Sequence, residues 1–194
     1  MYSEESAYEK RFSNLLFLAV EISAALWVHI YFFETTLSNF IHQVLSKEYS
    51  SEDWFRTSGI LSKHEIRQVN YVIQLLEKKS QKASNLKTRL SMSFWIELCS
   101  ARYHHKVWLL LENANPLLYE KRRDFYKKAR EIRNLRNSIA HHGPIMRRNL
   151  IRDHEYLHEL TATLDPDLAD AVQKRSRVLD LLLNARLVGS GGGI

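Results

Sequence analysis

The stretch "NLLFLAVEISAALWVHIYFF", residues 14–33, decides the fold class. It is long enough to suggest a transmembrane helix, but Glu21 and His29 lie well inside it. An ionised carboxylate within a membrane-spanning helix costs about 2.5–3.5 kcal/mol or more. We therefore interpret the stretch as the buried helix of a bundle and expect no membrane partner.

The rest of the chain extends this interpretation. Apolar residues recur at helical spacing, and no stretch alternates apolar and polar residues as strands do. The sequence predicts an all-α bundle of about six helices, in which the first runs from about Glu4 to Lys47, either unbroken or with one break. We expect one domain over residues 1–188 and a flexible glycine-rich tail over residues 189–194.

Several helix boundaries can be predicted from capping chemistry. Ser62 with Glu65 three residues later predicts a capping box, and Asp165 before Pro166 predicts a helix start. Asn115 before a proline predicts a helix end. A fourth helix is expected from about Leu118 to His141, ended by a Gly-Pro pair, and a fifth after Asn149.

Positive charge is concentrated in one segment. Residues 121–148 hold ten Lys or Arg and two acidic residues, whereas the remainder of the chain holds 18 basic and 20 acidic residues. Such a segment suits a polyanion, because neutralising phosphates releases counterions. The alternative is a solvated basic face. The predicted RNA-binding residues are Arg133, His142, Arg147, Arg148, Lys127 and Lys128.

The segment contains "RNLRNSIAHHGP", residues 133–144. On a regular helix Asn137 and His141 are neighbours one turn apart, and Arg133 lies one turn before Asn137. Arg136 and His141 diverge by about 140° on such a helix. Either the last turn unwinds, or a second copy of the helix completes the site across a two-fold axis.

These residue types suit metal-free RNA cleavage. Histidine can act as acid or base near neutral pH, and arginine stabilises charge on a phosphate. An asparagine one turn away could fix the imidazole tautomer. The simpler alternative is a positively charged helix end that is favoured by the macrodipole.

The segment from Arg136 to His141 resembles the R-x4-6-H signature of the HEPN superfamily of all-helical ribonucleases. With the upstream "LSMSFWIELCSARYHHKVW", residues 90–108, it resembles more narrowly the Abi-like (abortive infection) proteins of bacteria. The resemblance implies a helical bundle that dimerises through the motif helix and a metal-independent endoribonuclease of phage defence. It also implies that Arg136 and His141 carry catalysis, with Asn137 as a polar companion.

Other arrangements of chemically active residues are weaker. We expect no cofactor and no metal, since His141 and His142 with Cys99 and the pair at residues 104–105 lack the ligand spacing of structural zinc sites. His154 and His158 are interpreted as a surface pair. The lone cysteine and the lack of a signal peptide favour a cytoplasmic protein. An antitoxin-like or regulatory partner is a further expectation. The alternative function is a catalytically silent RNA-binding or dimeric interaction module.

Overall fold

The apolar stripe of the first helix forms the centre of the molecule. The computed structural model describes residues 2–76 and 82–190, and α1 (Tyr2–Glu48) runs unbroken through the first of these ranges. Seven apolar side chains on one face of α1 are at most 1% exposed, with the three- and four-residue spacing of a buried helix face: Ile22, Leu26, Ile30, Phe33, Leu37, Ile41 and Leu45. One face of the helix is therefore buried as predicted, whereas Phe17, Val20 and Tyr31 on its other faces are exposed.

The described residues form ten α-helices and no β-strand, which confirms the all-α class. After α1 come α2 (Trp54–Thr57), α3 (Lys63–Leu75), α4 (Ala83–Arg89), α5 (Met92–Glu97), α6 (Leu109–Ala114), α7 (Arg122–Ala140), α8 (Leu150–Leu164), α9 (Pro166–Gln173) and α10 (Val178–Ser190). The predicted number of about six was wrong. Five of the ten helices are only four to eight residues long: α2, α4, α5, α6 and α9.

A 3-10 turn and a wider π-helical turn interrupt the helical region that ends before Asn115. Between α5 and α6 the chain forms a 3-10 turn (Ala101–Tyr103) and a π-helical turn (His104–Trp108). Aromatic packing secures this region: the rings of Trp54 and Phe55 stack at 4.1 Å between centroids, and Phe55 lies edge-on to Trp95 at 6.0 Å. The prediction of a helix end before the proline is confirmed, since α6 ends at Ala114.

Helix α7 is positioned by its apolar face. It packs against α1, α5 and α8, and four of its side chains are buried: Phe125, Ala129, Ile132 and Leu135. The Phe125 ring lies 5.5 Å from Trp108 and 6.4 Å from Phe33, measured between ring centroids. These contacts fix α7 on the core, and none of its basic residues is fully buried.

Side-chain caps are present at three helix starts, and those at Ser62 and Asp165 were predicted. The side chains of Asn149 and Asp165 accept hydrogen bonds from backbone N–H groups in the first turns of α8 and α9, and Ser62 caps α3. The capping box takes a different form, because Glu65 is fully buried and accepts hydrogen bonds from the Ser62 and Tyr103 hydroxyl groups. The Ser62 backbone N–H donates to the Tyr103 oxygen at 3.0 Å instead.

The last helix differs from the expectation of a flexible tail. Helix α10 extends to Ser190 and therefore includes the first two residues of the predicted tail, whereas residues 191–194 lie outside the described residues.

Between Ser13 and Glu48, α1 is long and apolar enough to cross a membrane by length and composition, and core helices of soluble proteins meet the same criterion. Cys99 is fully buried, and burial raises the pKa of its thiol.

Candidate functional site

The end of α7 is built by a Schellman motif. The His142 N–H donates to the Ile139 carbonyl at 3.1 Å, and the Gly143 N–H donates to the Ser138 carbonyl at 2.7 Å. His142 has a φ of 56°, in the left-handed region that the position after a helix usually fills with glycine. A histidine there carries backbone strain, and its side chain is exposed.

The helix keeps its hydrogen bonding up to the predicted catalytic histidine. The His141 N–H donates to the Asn137 carbonyl at 3.0 Å, which is the ordinary α-helical bond. The last turn therefore does not unwind, and within one copy of the chain the side chains of Arg136 and His141 leave the helix about 140° apart. His141 and Asn137 are both exposed. Of the two arrangements considered from the sequence, the unwound last turn is not found, and completion by a second copy stays a prediction.

Arg136 has an unusual environment. Its guanidinium carbon lies 5.6 Å from the centre of the Trp27 ring, in a cation–π contact with α1. Its Nε is buried and has no hydrogen-bond partner among the described residues. Glu34 lies on the same side of α1, one heptad after Trp27. Burial raises the pKa of Glu34 and the charge of Arg136 opposes that rise. Arg136 is thus a half-buried cation whose hydrogen-bonding capacity is only partly used.

The predicted RNA-binding residues fall into two groups. Lys127, Arg147 and His142 are exposed, and Arg133 donates to the side-chain oxygen of its neighbour Asn134 at 3.2 Å. These side chains leave positive charge at the surface of α7 and of the turn that follows it.

The second group is paired with carboxylates. The Lys128 Nζ lies 2.6 Å from both Asp124 and Glu159. The Arg148 Nε donates to the fully buried Asp153 at 2.7 Å, and its Nη2 lies 3.4 Å from Glu131. RNA binding by Lys128 and Arg148 stays a prediction, and any phosphate would compete there with carboxylates already in place.

A groove of about 1000 Å³ adjoins the end of α7. It lies between the outer face of α1 and the segment 139–146, and Trp27 and His142 line it. Large apolar side chains are exposed along the adjoining part of α1, among them Leu16, Phe17 and Val20. A water-facing apolar surface of this kind is typical of an interaction site.

One cluster was not predicted from the sequence. His29 and His154 are 5% and 3% exposed, their rings meet edge-on at 4.7 Å, and both Nε2 atoms lie near the Ser176 hydroxyl oxygen, at 2.8 and 3.2 Å. Burial and the neighbouring histidines lower the pKa of His29 to about 4. The interpretation of His154 as a surface residue was wrong. The available signal was His29 within the apolar stripe of α1, where a polar side chain needs a partner.

The other candidate residues are dispersed. The rings of His104 and His105 meet edge-on at 4.9 Å in the π-helical turn, and the Nδ1 of His104 is buried without a partner in the described part of the chain. Glu21, within the apolar stretch of α1, is exposed. Within residues 2–76 and 82–190 no group of three metal-ligating side chains comes together.

Comparisons with protein-family models, with curated proteins and with solved structures find no match to this chain. The assignment of a function therefore depends on the residues themselves.

Proposed function

We propose that the protein is a metal-independent endoribonuclease of the HEPN type, active as a homodimer in the cytoplasm in abortive-infection or toxin-like phage defence. In this proposal His141 transfers protons at the 2′-hydroxyl or the leaving 5′-oxygen, and Arg136 stabilises the charged phosphorane. Asn137 orients the imidazole. The observation that carries the proposal is the environment of Arg136, a half-buried guanidinium whose Nε has no protein partner, on the same helix end as the exposed His141.

The divergence of the two side chains explains why a dimer is part of the proposal. A two-fold axis near the end of α7 would bring Arg136 of one protomer towards His141 of its partner. The exposed apolar surface of α1 beside the 1000 Å³ groove is a suitable contact surface for that pairing. Lys127 and Arg147 would then extend the basic surface along the bound RNA.

The first experiment measures cleavage of RNA by the purified protein in EDTA. We expect products with 2′,3′-cyclic phosphate ends, and loss of cleavage in Arg136→Ala and His141→Ala. Arg123→Ala removes an exposed arginine near the start of the same helix and is the matched control, which should retain activity. Cleavage that requires a divalent metal, or that survives both substitutions, would refute the proposal.

The second experiment tests the shared site directly. When Arg136→Ala and His141→Ala proteins are mixed and allowed to exchange subunits, each mixed dimer holds one complete site and one empty site. Activity should return to about a quarter of the wild-type value, because half of the dimers are mixed and each has one of two sites. A site contained within one protomer gives no recovery.

The second candidate is a catalytically silent RNA-binding or interaction module. A catalytic base is usually oriented by a hydrogen-bond partner. Neither Asn137 nor any other side chain of the described residues forms a hydrogen bond with the His141 imidazole, and this observation favours the silent module. This module would bind RNA in a salt-dependent manner with no cleavage. The EDTA assay separates the two candidates.

A further inference from the structure

A second cavity lies on the other flank of α1. It has a volume of about 570 Å³ and is enclosed by α1, α9, the turn at residues 175–177 and the start of α10. Most of the lining is apolar, with Val28 and Phe32 on α1 facing Leu168 and Val172 on α9. This volume lies within the range of about 300–1000 Å³ that is typical of sites for small molecules.

The polar groups within the cavity are already hydrogen-bonded to one another. The Ser176 hydroxyl lies near the Nε2 atoms of His29 and His154, and it accepts a bond from the Val178 N–H at 3.3 Å. A hydroxyl has one proton and two lone pairs, so these three partners use all of its capacity. Ser176 therefore joins helices and is not poised as a nucleophile. The His29 imidazole is neutral at neutral pH.

Charge is confined to the solvent edge of the cavity. Arg175, Arg177 and Glu21 line it and are all exposed, so the edge has one excess positive charge. The Arg175 Nη1 donates to the Ala171 carbonyl at 2.9 Å. Arg177 has no ion pair or side-chain hydrogen bond with any described residue, and it directly precedes α10, whose amino-terminal end adds positive potential.

We propose that this cavity binds a small amphiphilic anion, a single apolar chain or ring system with one carboxylate or sulfonate group. The apolar body lies between α1 and α9, and the anionic group meets Arg177 and Arg175 at the solvent edge. The site is separate from the end of α7 and does not depend on the proposed ribonuclease activity.

The test uses anilinonaphthalene sulfonate, whose fluorescence rises in an apolar site. We expect saturable binding to the folded protein and displacement by dodecanoate. Dodecanol, with the same chain and no charge, should compete at least about tenfold more weakly, because a hydrogen bond to a charged group is worth more than that ratio. Arg177→Gln leaves only Arg175 at the solvent edge and should reduce this preference while keeping the apolar binding.

Two matched substitutions on α1 locate the site. Val28→Trp places a large ring in this cavity, whereas Val20→Trp makes the same change at the groove on the other flank. Both residues are exposed in the native helix, so the fold should tolerate either change, which circular dichroism checks. Binding should be lost in Val28→Trp and kept in Val20→Trp.

Other results overturn the proposal. Equal competition by dodecanol, or an unchanged preference in Arg177→Gln, would show a non-specific apolar surface. Loss of binding in Val20→Trp with retention in Val28→Trp would place the probe in the other groove. A concentration-dependent dimer that only Val28→Trp dissociates would identify a second copy of the chain as the occupant. None of these measurements uses RNA, so this result and that of the cleavage assay are independent.

Discussion

Acid should destabilise this fold through the buried histidine pair. His29 has a pKa near 4 in the folded protein, against an ordinary value of 6.5. Between these values the unfolded chain binds a proton that the folded chain does not, so stability is complete above about pH 6.5 and falls as the pH is lowered towards 4. The two pKa values correspond to a loss of about 3 kcal/mol at pH 4 from His29 alone.

The physical cause is visible around the ring. His29 is 5% exposed, and the neighbouring His154 and His158 also oppose a positive charge on it. Burial and His158 also lower the pKa of His154. Because His154 lowers the pKa of His29, removal of His154 should raise that pKa.

Urea unfolding at pH 7 and at pH 4 measures the effect. Carboxylates contribute to the acid sensitivity of any protein, so the informative quantity is the difference between wild type and His29→Gln. The wild type should lose about 3 kcal/mol more than the variant on acidification. His64→Gln removes an exposed histidine on α3 and should behave as the wild type does. Equal pH dependence of wild type and His29→Gln would show that burial does not set the protonation of this ring.

Three further predictions concern α7 and the segment after it. His142→Gly should raise the free energy of unfolding by about 0.5–1 kcal/mol, because glycine adopts a positive φ without strain; no gain in urea unfolding would contradict the strained backbone. Asp153→Ala removes a fully buried carboxylate that accepts hydrogen bonds from the partly exposed Arg148 and Arg152, and should cost about 2 kcal/mol, whereas Asp124→Ala, at an exposed ion pair, should cost less than about 1 kcal/mol in the same assay. Lys127→Gln should reduce the slope of log RNA affinity against log salt by about one. Lys128→Gln should reduce it less, since Lys128 is already paired. An equal reduction in the two variants would show that both lysines contact phosphates.

The predictable part of the fold was the part that local chemistry determines. The stripe of α1 follows from residue spacing alone, and the caps at Ser62 and Asp165 follow from side chains that satisfy the first N–H groups of a helix. The division of the third helical region was not predictable in this way. Its π-helical turn at His104–Trp108 depends on packing against aromatic residues that are distant in the sequence.

The candidate site shows the same limit. The sequence places Arg136 and His141 on one helix and predicts their angular separation, and the intact hydrogen bond to the Asn137 carbonyl agrees with that regular geometry. It does not indicate that Trp27, more than 100 residues earlier, covers the guanidinium of Arg136. Nor does it indicate that Asp153 neutralises an arginine of the basic segment. Contacts between distant segments are decided by tertiary packing, which residue spacing does not encode.

The burial of Cys99 has a practical consequence for studying this molecule. The sole thiol of the chain is enclosed in the core and held in its protonated form, so alkylating reagents reach it only when the core opens. Its rate of modification therefore reports directly on opening of the bundle. In the native state, a cysteine introduced on the outer face of α1 or α7 would be the single reactive position, and a spin label or fluorophore could be attached there without removing any natural residue of the core.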